Sequence, residues 1–292
     1  MRKVCLAAIQ MSCSAKPEEN LDKAESLVRK AAANGANIVL LPELFAYPYF
    51  CQERRYEHYS LALPVDKDPA VQRLSAVVKE LGVVLPVSFF EKDGSRLFNS
   101  AAMLDADGSL LGVYRKTHIP DDHFYQEKFY FTPGDTGFRV WETAFGKIGV
   151  GICWDQWFPE TARALALSGA ELLLYPTAIG SEPILGCDSM PHWRRCMQGH
   201  AAANIIPVAA ANRVGLEKVA PCRENAGQAS KLLFYGSSFI TDDTGELLSA
   251  AGREEETVIY AQLELDAIAE NRLSWGFFRD RRPERYNAIA GE

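Results

Sequence analysis

Three side chains suited to acyl transfer each follow an apolar stretch of this sequence. Glu43 follows "IVLLP", Lys116 follows "LLGVYR" and Cys153 follows "IGVGI". A thiol attacks a carbonyl carbon once a base has removed its proton, and a carboxyl group can take that proton and return it to a departing amine. An ammonium can stabilise the oxyanion that forms between these steps. Together, the three residue types suit hydrolysis through a covalent thioester.

Each of these residues also has a purely structural interpretation. Cysteine is among the most buried residue types, so Cys153 could simply end a buried strand. Glu43 could cap a helix, and Lys116 could be solvated beside its neighbour Arg115. Residue type alone leaves these alternatives open.

Other kinds of catalytic site have weaker support in the sequence. The five histidines form no H-E-x-x-H or H-x-H motif, and the seven cysteines contain no C-x-x-C, so we expect neither a metal nor a cofactor. The "HIPDDH" stretch is interpreted as a loop. A serine nucleophile is disfavoured because "YGSSF" does not match G-x-S-x-G.

Alternating apolar patterns predict an α/β domain around the three residues. With no linker or shift in composition, one domain is expected over residues 1–292, with two similar sheet-forming halves packed together and helices outside. The weakly patterned residues 213–231 are expected to form a loop. We predict strands over 4–10, 36–41, 83–90, 147–153, 170–176 and 205–212, helices over 17–34, 68–81, 159–168 and 190–203, and strand-turn-strand units over 97–116 and 237–251.

Composition restricts the partners and the compartment. The chain has 292 residues, is 48% hydrophobic and carries a net charge of −7 with scattered basic residues, so nucleic acid is not expected as a partner. The apolar start is broken at Gln10, and no apolar run is long enough to span a membrane. An odd number of widely spaced cysteines is typical of a reducing compartment, so we expect a cytoplasmic protein.

The segments "LPELF", "YRKTHIP" and "GICWDQWFPE" resemble the three signature segments of the nitrilase superfamily of carbon-nitrogen hydrolases. The resemblance implies a four-layer α-β-β-α sandwich. It also implies a catalytic triad in which Glu43 is the general base and acid, Lys116 stabilises the oxyanion and Cys153 is the nucleophile. The backbone N–H of Trp154 would be a second oxyanion donor, and Glu127 would support the lysine and position the substrate.

Longer phrases, among them "LLYPTAIGSEP" and "YQEKFYFTPGDTGF", resemble the subgroup that hydrolyses N-carbamoylputrescine, a small cationic ureide. Such a substrate requires a carboxylate for its ammonium and aromatic walls along its chain. Glu182 and Asp121 are the candidates for the ammonium. The candidates for the walls are Trp154, Trp157 and Tyr130.

An anionic substrate is disfavoured by the residues that follow the cysteine. Superfamily members that take N-carbamoyl amino acids carry an arginine pair there, whereas this chain has Asp155, Gln156 and Trp157. The alternatives are the same thiol chemistry on another amide, nitrile or ureide such as β-ureidopropionate, or a catalytically silent scaffold, which the intact triad argues against. The resemblance also implies a homo-oligomer built from dimers that join through the helices after Cys153 and around 190–203, with the tail (about 265–292) in subunit contacts.

Overall fold

The computed structural model describes residues 1–182 and 186–290 of the chain. The strands within these ranges are β1 Lys3–Gln10, β2 Ile38–Leu40, β3 Leu85–Asp93, β4 Arg96–Leu104, β5 Leu110–Arg115, β6 Val140–Thr143, β7 Gly146–Val150, β8 Leu172–Thr177, β9 Val208–Asn212, β10 Val214–Val219, β11 Ser230–Tyr235, β12 Phe239–Thr241, β13 Leu247–Ala250 and β14 Thr257–Glu264. The α-helices are α1 Pro17–Ala33, α2 Pro69–Leu81, α3 Pro159–Leu167, α4 Met190–Asn204, α5 Leu265–Trp275 and α6 Asn287–Ala290.

Two sheets of matching construction form the centre of the molecule. The first has the strand order β14-β1-β2-β3-β4-β5, in which a parallel bridge between Ile38 and Val84 joins β2 to the start of β3. The second has the order β13-β12-β9-β8-β7-β6. β1 runs parallel to β2, and β7, β8 and β9 run parallel to one another, so the loops after these strands gather at one edge of each sheet.

Four layers result from the way these sheets are covered. Apolar side chains of both sheets, such as Leu40, Val150 and Ile259, form one core between them. Helices α1 and α2 pack on the outer face of the first sheet, for example through Val28 and Leu74, and α3 and α4 cover the second sheet. The arrangement confirms the predicted α-β-β-α sandwich.

Local sequence signals account for the positions of the helices. Asp68 precedes α2 and accepts hydrogen bonds from the backbone N–H groups of Ala70 and Val71 at 2.9 and 3.0 Å, while Pro69 occupies the first turn. Gly82 ends the helix in the left-handed conformation, with φ of 67°. The four predicted helices agree with α1 to α4 to within one residue at each end.

Two sequence predictions need correction. The strand expected over 147–153 ends at Val150, so Cys153 lies three residues beyond it. The loop expected over 213–231 is wrong in part, because it contains β10, which pairs antiparallel with β11, a strand that begins at Ser230. In β10 the polar Glu217 is buried while the apolar Leu216 is exposed, so the sequence of this strand has no alternating apolar pattern that would predict it.

Within the described ranges, no helix combines the length and the apolar character needed to cross a bilayer. The tail includes α5 and α6, and its last two residues, 291–292, lie outside the described residues. Its predicted role in subunit contacts stays a prediction, as does the single-domain organisation.

Candidate active site

Glu43 lies on an irregular turn directly after β2. Its side chain is fully buried, and its backbone N–H donates to the carbonyl of Thr177 in the other sheet at 3.3 Å. The next residue, Leu44, has a left-handed backbone with φ of 49°, and its N–H donates to the hydroxyl of Ser88 at 3.0 Å. The turn therefore directs the carboxyl group of Glu43 into the space between the sheets.

Lys116 follows β5 and is also fully buried. Its ammonium lies 2.8 Å from Oε1 of Glu43 and 2.6 Å from Oε2 of Glu127. The side chain of Asn99, on the adjacent strand β4, donates a third hydrogen bond into this cluster, to Oε1 of Glu43 at 2.7 Å. The structure thus joins three sequence-predicted residues in one buried cluster.

The burial of these charges changes their titration. Burial lowers the pKa of Lys116, but the carboxylates of Glu127 and Glu43 raise it by more, so the pKa lies well above the ordinary value. Burial likewise raises the pKa of Glu127, which the ammonium of Lys116 offsets only in part. The lysine therefore stays charged at neutral pH, as an oxyanion stabiliser must.

Cys153 begins a short 3-10 helix, Cys153–Trp157, and has a left-handed backbone with φ of 40°. The side chain of Asp155 holds this turn: its Oδ2 accepts from the N–H of Ile152 at 2.9 Å and from the hydroxyl of Tyr114 at 2.7 Å. Its Oδ1 accepts from the N–H of His118 at 3.0 Å. Asp155 therefore ties the cysteine turn to the segment that carries Lys116.

The thiol of Cys153 is buried, with 6% of the residue exposed, and lies 3.7 Å from the carbonyl oxygen of Ala178. Burial and the charge of Glu43 raise its pKa well above the ordinary value, so the resting group is a thiol that needs a base. Oε2 of Glu43 is buried and has no hydrogen-bond partner among the described residues. It is an available acceptor in this site, and Oδ1 of Asn99 is likewise buried without a partner among the described residues.

The two tryptophans after the cysteine differ in their surroundings. Trp154 is the second residue of the short helix, where backbone N–H groups have no partner within the helix, and its side chain is exposed. The ring of Trp157 lies 6.3 Å from that of Trp154 and 4.9 Å from that of His192, centroid to centroid. Both remain predicted to line the substrate.

Of the two candidates for the substrate ammonium, Glu182 is connected to the buried cluster through Tyr125. The hydroxyl of Tyr125 donates to the carbonyl of Ser181 at 3.5 Å, and its ring packs against that of Tyr49. Glu182 is half-buried, and its charge raises the pKa of Tyr125 and Tyr235. Burial raises the pKa of Glu182, and the charge of Asp122 adds to the effect. Negative charge is thus concentrated here.

Asp121, the other candidate, pairs instead with Arg54, at 3.7 Å across the protein surface. Its neighbour Asp122 is the aspartate whose charge reaches Glu182. Asp122 was not singled out from the sequence, and a role for Asp121 in binding the substrate ammonium stays a prediction.

Tyr130 lies in a buried aromatic cluster. It is 3% exposed and packs edge-on against Phe50 and Phe90, and its hydroxyl donates to the carbonyl oxygen of Glu53 at 2.7 Å. These contacts favour a structural role, and its predicted role in lining the substrate stays a prediction. An aromatic residue suits either position, and residue type alone does not distinguish them.

Sequence reasoning missed three tyrosines of the site. The hydroxyl of Tyr49 donates to Oε1 of Glu127 at 2.7 Å. Tyr125 packs against Tyr49 with ring centroids 5.8 Å apart and accepts a hydrogen bond from the N–H of Gly180 at 2.9 Å. Tyr235 shares a hydrogen bond of 3.1 Å with Ser189. The only sequence signal was that Tyr49 and Tyr125 lie near signature segments.

Asn99 was also missed, although the hairpin predicted over 97–116 brings this residue opposite the end that carries Lys116. In the observed register, Ser100 is opposite Arg115, and the N–H of Lys116 donates to the carbonyl of Asn99 at 2.8 Å. No cluster of His, Cys, Asp and Glu with metal-binding geometry occurs in the described ranges. The structure thus provides a buried ammonium and carboxylate in contact, and both charges act on the buried thiol of Cys153, a set of groups that suits acyl transfer.

Comparisons with known proteins agree with this chemistry. The family model described as "Carbon-nitrogen hydrolase" matches residues 5–272. An N-carbamoylputrescine amidase of Arabidopsis thaliana is 53% identical over 99% of this chain and 95% of its own length, and a citrullinase of Francisella tularensis is 51% identical over 99% of both. A solved carbon-nitrogen hydrolase of Helicobacter pylori superposes with a TM-score of 0.90, at 37% identity and 99% coverage of both chains. The chain is therefore an enzyme that belongs to the carbon-nitrogen hydrolase family of the nitrilase superfamily.

Proposed function

We propose that this enzyme hydrolyses N-carbamoylputrescine to putrescine, carbon dioxide and ammonia through a thioester on Cys153. The observation that carries the proposal is the asymmetry of the Glu43 carboxylate. Lys116 and Asn99 bind its Oε1, while its buried Oε2 has no partner in the described part of the chain, and the charge of Glu43 raises the pKa of the Cys153 thiol. This arrangement suits a group that takes and returns one proton.

The first half of the reaction acylates the thiol. Glu43 takes the proton from Cys153, and the sulfur attacks the ureido carbonyl carbon. The ammonium of Lys116 and the N–H of Trp154 stabilise the oxyanion. When the oxyanion collapses, the C–N bond breaks, the amine leaves with the proton from Glu43, and an acyl thioester remains.

The second half releases the acyl group. Glu43 accepts a proton from water as the resulting hydroxide attacks the thioester carbon, and the thiolate leaves and regains its proton. The carbamic acid product then decomposes to carbon dioxide and the nitrogen compound that did not leave in the first half, which is either putrescine or ammonia. The overall products are the same whether putrescine or ammonia leaves in the first half.

Glu127 is proposed to hold the lysine in place throughout this cycle. Its Oε2 lies 2.6 Å from the ammonium of Lys116, and Tyr49 binds its other oxygen. A buried ammonium with fixed partners needs little reorganisation when the oxyanion forms, which is the property that makes such groups effective.

Recognition of the substrate cation is proposed to depend on Glu182. This half-buried carboxylate and Asp122 place negative charge near Tyr125 and Tyr235, and Tyr125 contacts both Ser181, the neighbour of Glu182, and Tyr49 of the buried cluster. A buried carboxylate with aromatic neighbours is a favourable partner for a primary ammonium. Conversely, the same concentration of charge disfavours a substrate that ends in a carboxylate.

The experiment compares N-carbamoylputrescine with N-butylurea, which keeps the ureido group but lacks the ammonium, by measuring ammonia release. We expect Glu182→Gln to lower kcat/KM for N-carbamoylputrescine about 10- to 100-fold, the value of a charge-assisted hydrogen bond, and to leave N-butylurea unchanged. Asp121→Asn is the matched control and should alter neither substrate. Failure of the wild-type enzyme to turn over N-carbamoylputrescine would reject the proposal.

Citrulline is the second candidate substrate, because the Francisella citrullinase is 51% identical to this chain. Citrulline carries the same ureido group but adds an α-carboxylate beside its ammonium. Offering citrulline, β-ureidopropionate, a simple amide and a nitrile in the same assay separates these possibilities. A higher kcat/KM for citrulline than for N-carbamoylputrescine would favour the second candidate.

A further inference from the structure

The segment from Glu43 to Tyr49 contains no helix or strand, yet it carries groups that act on both buried carboxylates of the site. Glu43 is itself the proposed base, and Tyr49 binds Glu127. An irregular segment lacks the regular hydrogen bonds of a helix or sheet, so other groups must fix its backbone. Side chains from elsewhere in the fold must therefore hold this segment in place.

A buried arginine provides most of the missing contacts. Arg213 is fully buried, and its Nε donates to the carbonyl oxygen of Glu43 at 3.1 Å. Its two terminal nitrogens donate to the carbonyls of Leu44 at 2.5 Å and Tyr47 at 2.9 Å. A single planar guanidinium thus binds three carbonyls of one turn, which suits the rigid fork of an arginine.

Glu217 completes the arrangement on the other side of the guanidinium. Its Oε1 lies 3.0 Å from Nη1 of Arg213, and its Oε2 accepts from the backbone N–H of Tyr49 at 2.5 Å. Glu217 lies on β10, which pairs with β11, and the carbonyl of Arg213 accepts from the N–H of Gly236 at 3.1 Å. The pair is therefore anchored to regular structure.

We propose that Arg213 and Glu217 are positioning residues, which set the place of Glu43 through its own carbonyl and that of Glu127 through Tyr49. The proposal rests on the catalytic roles proposed for Glu43 and Cys153. It does not depend on which ureide is the substrate. The alternative is that the pair stabilises the fold alone, as buried ion pairs with good geometry often do.

The test uses Arg213→Lys, which keeps the positive charge. A lysine ammonium has three N–H donors on one nitrogen, so it cannot bind the three carbonyls and Glu217 at the same time. Glu217→Gln is the second variant, because its one carbonyl oxygen can serve Arg213 or Tyr49 but not both. Arg73→Lys is the matched control: Arg73 binds Glu18, Asp22 and Glu25 on helix α1, away from the site.

Two measurements separate positioning from stability. The first is the division of the effect between kcat and KM. The second is the rate at which iodoacetamide alkylates Cys153, followed by mass spectrometry, with the exposed Cys187 as an internal reference. Alkylation needs an activated thiol but no substrate, so it reports on Glu43 even if the proposed substrate is wrong.

We expect Arg213→Lys to lower kcat about 10- to 100-fold, the cost of a small misplacement of a catalytic group, with KM nearly unchanged. Alkylation of Cys153 should slow by a similar factor while that of Cys187 does not change. Glu217→Gln should have a smaller effect in the same direction, and it decides the question if Arg213→Lys does not fold. Normal kcat and normal alkylation in a folded but less stable variant would overturn the proposal.

Discussion

The ammonium of Lys116 lies 2.8 Å from one oxygen of the Glu43 carboxylate, and the other oxygen has no partner among the described residues. The two residues therefore form an ion pair that leaves one acceptor available. A fully satisfied carboxylate would be a poor base, because taking a proton would break existing hydrogen bonds. This pair combines a fixed cation with a usable base.

Replacing the base should abolish most activity without unfolding the protein. Glu43→Gln keeps an oxygen for Lys116 and Asn99 but cannot accept a proton at the other position. We expect kcat/KM to fall about 10²- to 10⁴-fold, the usual contribution of general acid-base catalysis. Ammonia release measures the effect, and Glu25→Gln on helix α1 is the control. Retention of near-normal activity in Glu43→Gln would contradict the proposed mechanism.

The hydroxyl of Tyr49 should matter more than other buried hydroxyls. Tyr49→Phe leaves Oε1 of Glu127 without its 2.7 Å hydrogen bond, so the support of Lys116 weakens. Because hydrogen bonds to charged groups contribute about 1.5–3 kcal/mol, we expect kcat to fall about 10- to 100-fold. Tyr59→Phe is the control, since that hydroxyl donates to the carbonyl of Phe129 outside the site. Equal effects of the two variants would argue against a role for Tyr49.

Replacing Asp155 even by asparagine should destabilise the protein. Its two oxygens accept from Ile152, Tyr114 and His118, so one of them would become an NH₂ group facing donors in Asp155→Asn. We expect the free energy of unfolding to drop by about 3 kcal/mol, measured with urea. In Asp105→Asn, a single oxygen accepts both hydrogen bonds, so little change is expected.

Substrate affinity should depend on pH through Glu182. Burial and the charge of Asp122 raise its pKa, so this carboxyl gains a proton at a higher pH than an ordinary glutamate. Its negative charge is present above that pKa and is lost as the pH falls through it. KM for N-carbamoylputrescine should therefore rise towards acidic pH, while KM for N-butylurea should stay flat. Parallel curves for the two compounds would show that another group titrates.

Gly134 should be intolerant of a side chain for steric reasons. A Cβ added there would lie 2.1 Å from the carbonyl oxygen of Arg115 and 2.8 Å from that of Lys116. Gly134→Ala should therefore displace the segment that carries the lysine and lower both the melting temperature and kcat. Gly199→Ala, in helix α4, meets no atom within 4 Å and should stabilise the protein by up to about 1 kcal/mol. Normal activity in Gly134→Ala would mean that the segment can shift without loss.

The buried cluster around Glu43 and Lys116 could be predicted because residue type and strand ends carry the information. Glu43, Lys116 and Cys153 each follow a strand, and a hydrogen bond between Glu43 and Thr177 brings the ends of the two sheets together. The burial of Tyr130 among aromatic residues could not be predicted, because aromatic side chains occur in cores and in pockets alike. Arg213 was overlooked because its partners are largely backbone carbonyls. Every residue type has such a carbonyl, so the sequence cannot show which ones an arginine binds.

The proposed reacting groups come from both sheets, and this affects how activity should return on refolding. Glu43 and Lys116 follow strands of the first sheet and Cys153 follows a strand of the second, and a hydrogen bond from Glu43 to Thr177 joins the two. Neither sheet carries the complete proposed set, and β14, from the last part of the chain, pairs with β1 in the first sheet. During refolding, catalytic activity should therefore return only when the two sheets dock, later than the secondary structure of either one. Fragments divided between Lys116 and Cys153 should be inert apart and regain turnover when they reassociate.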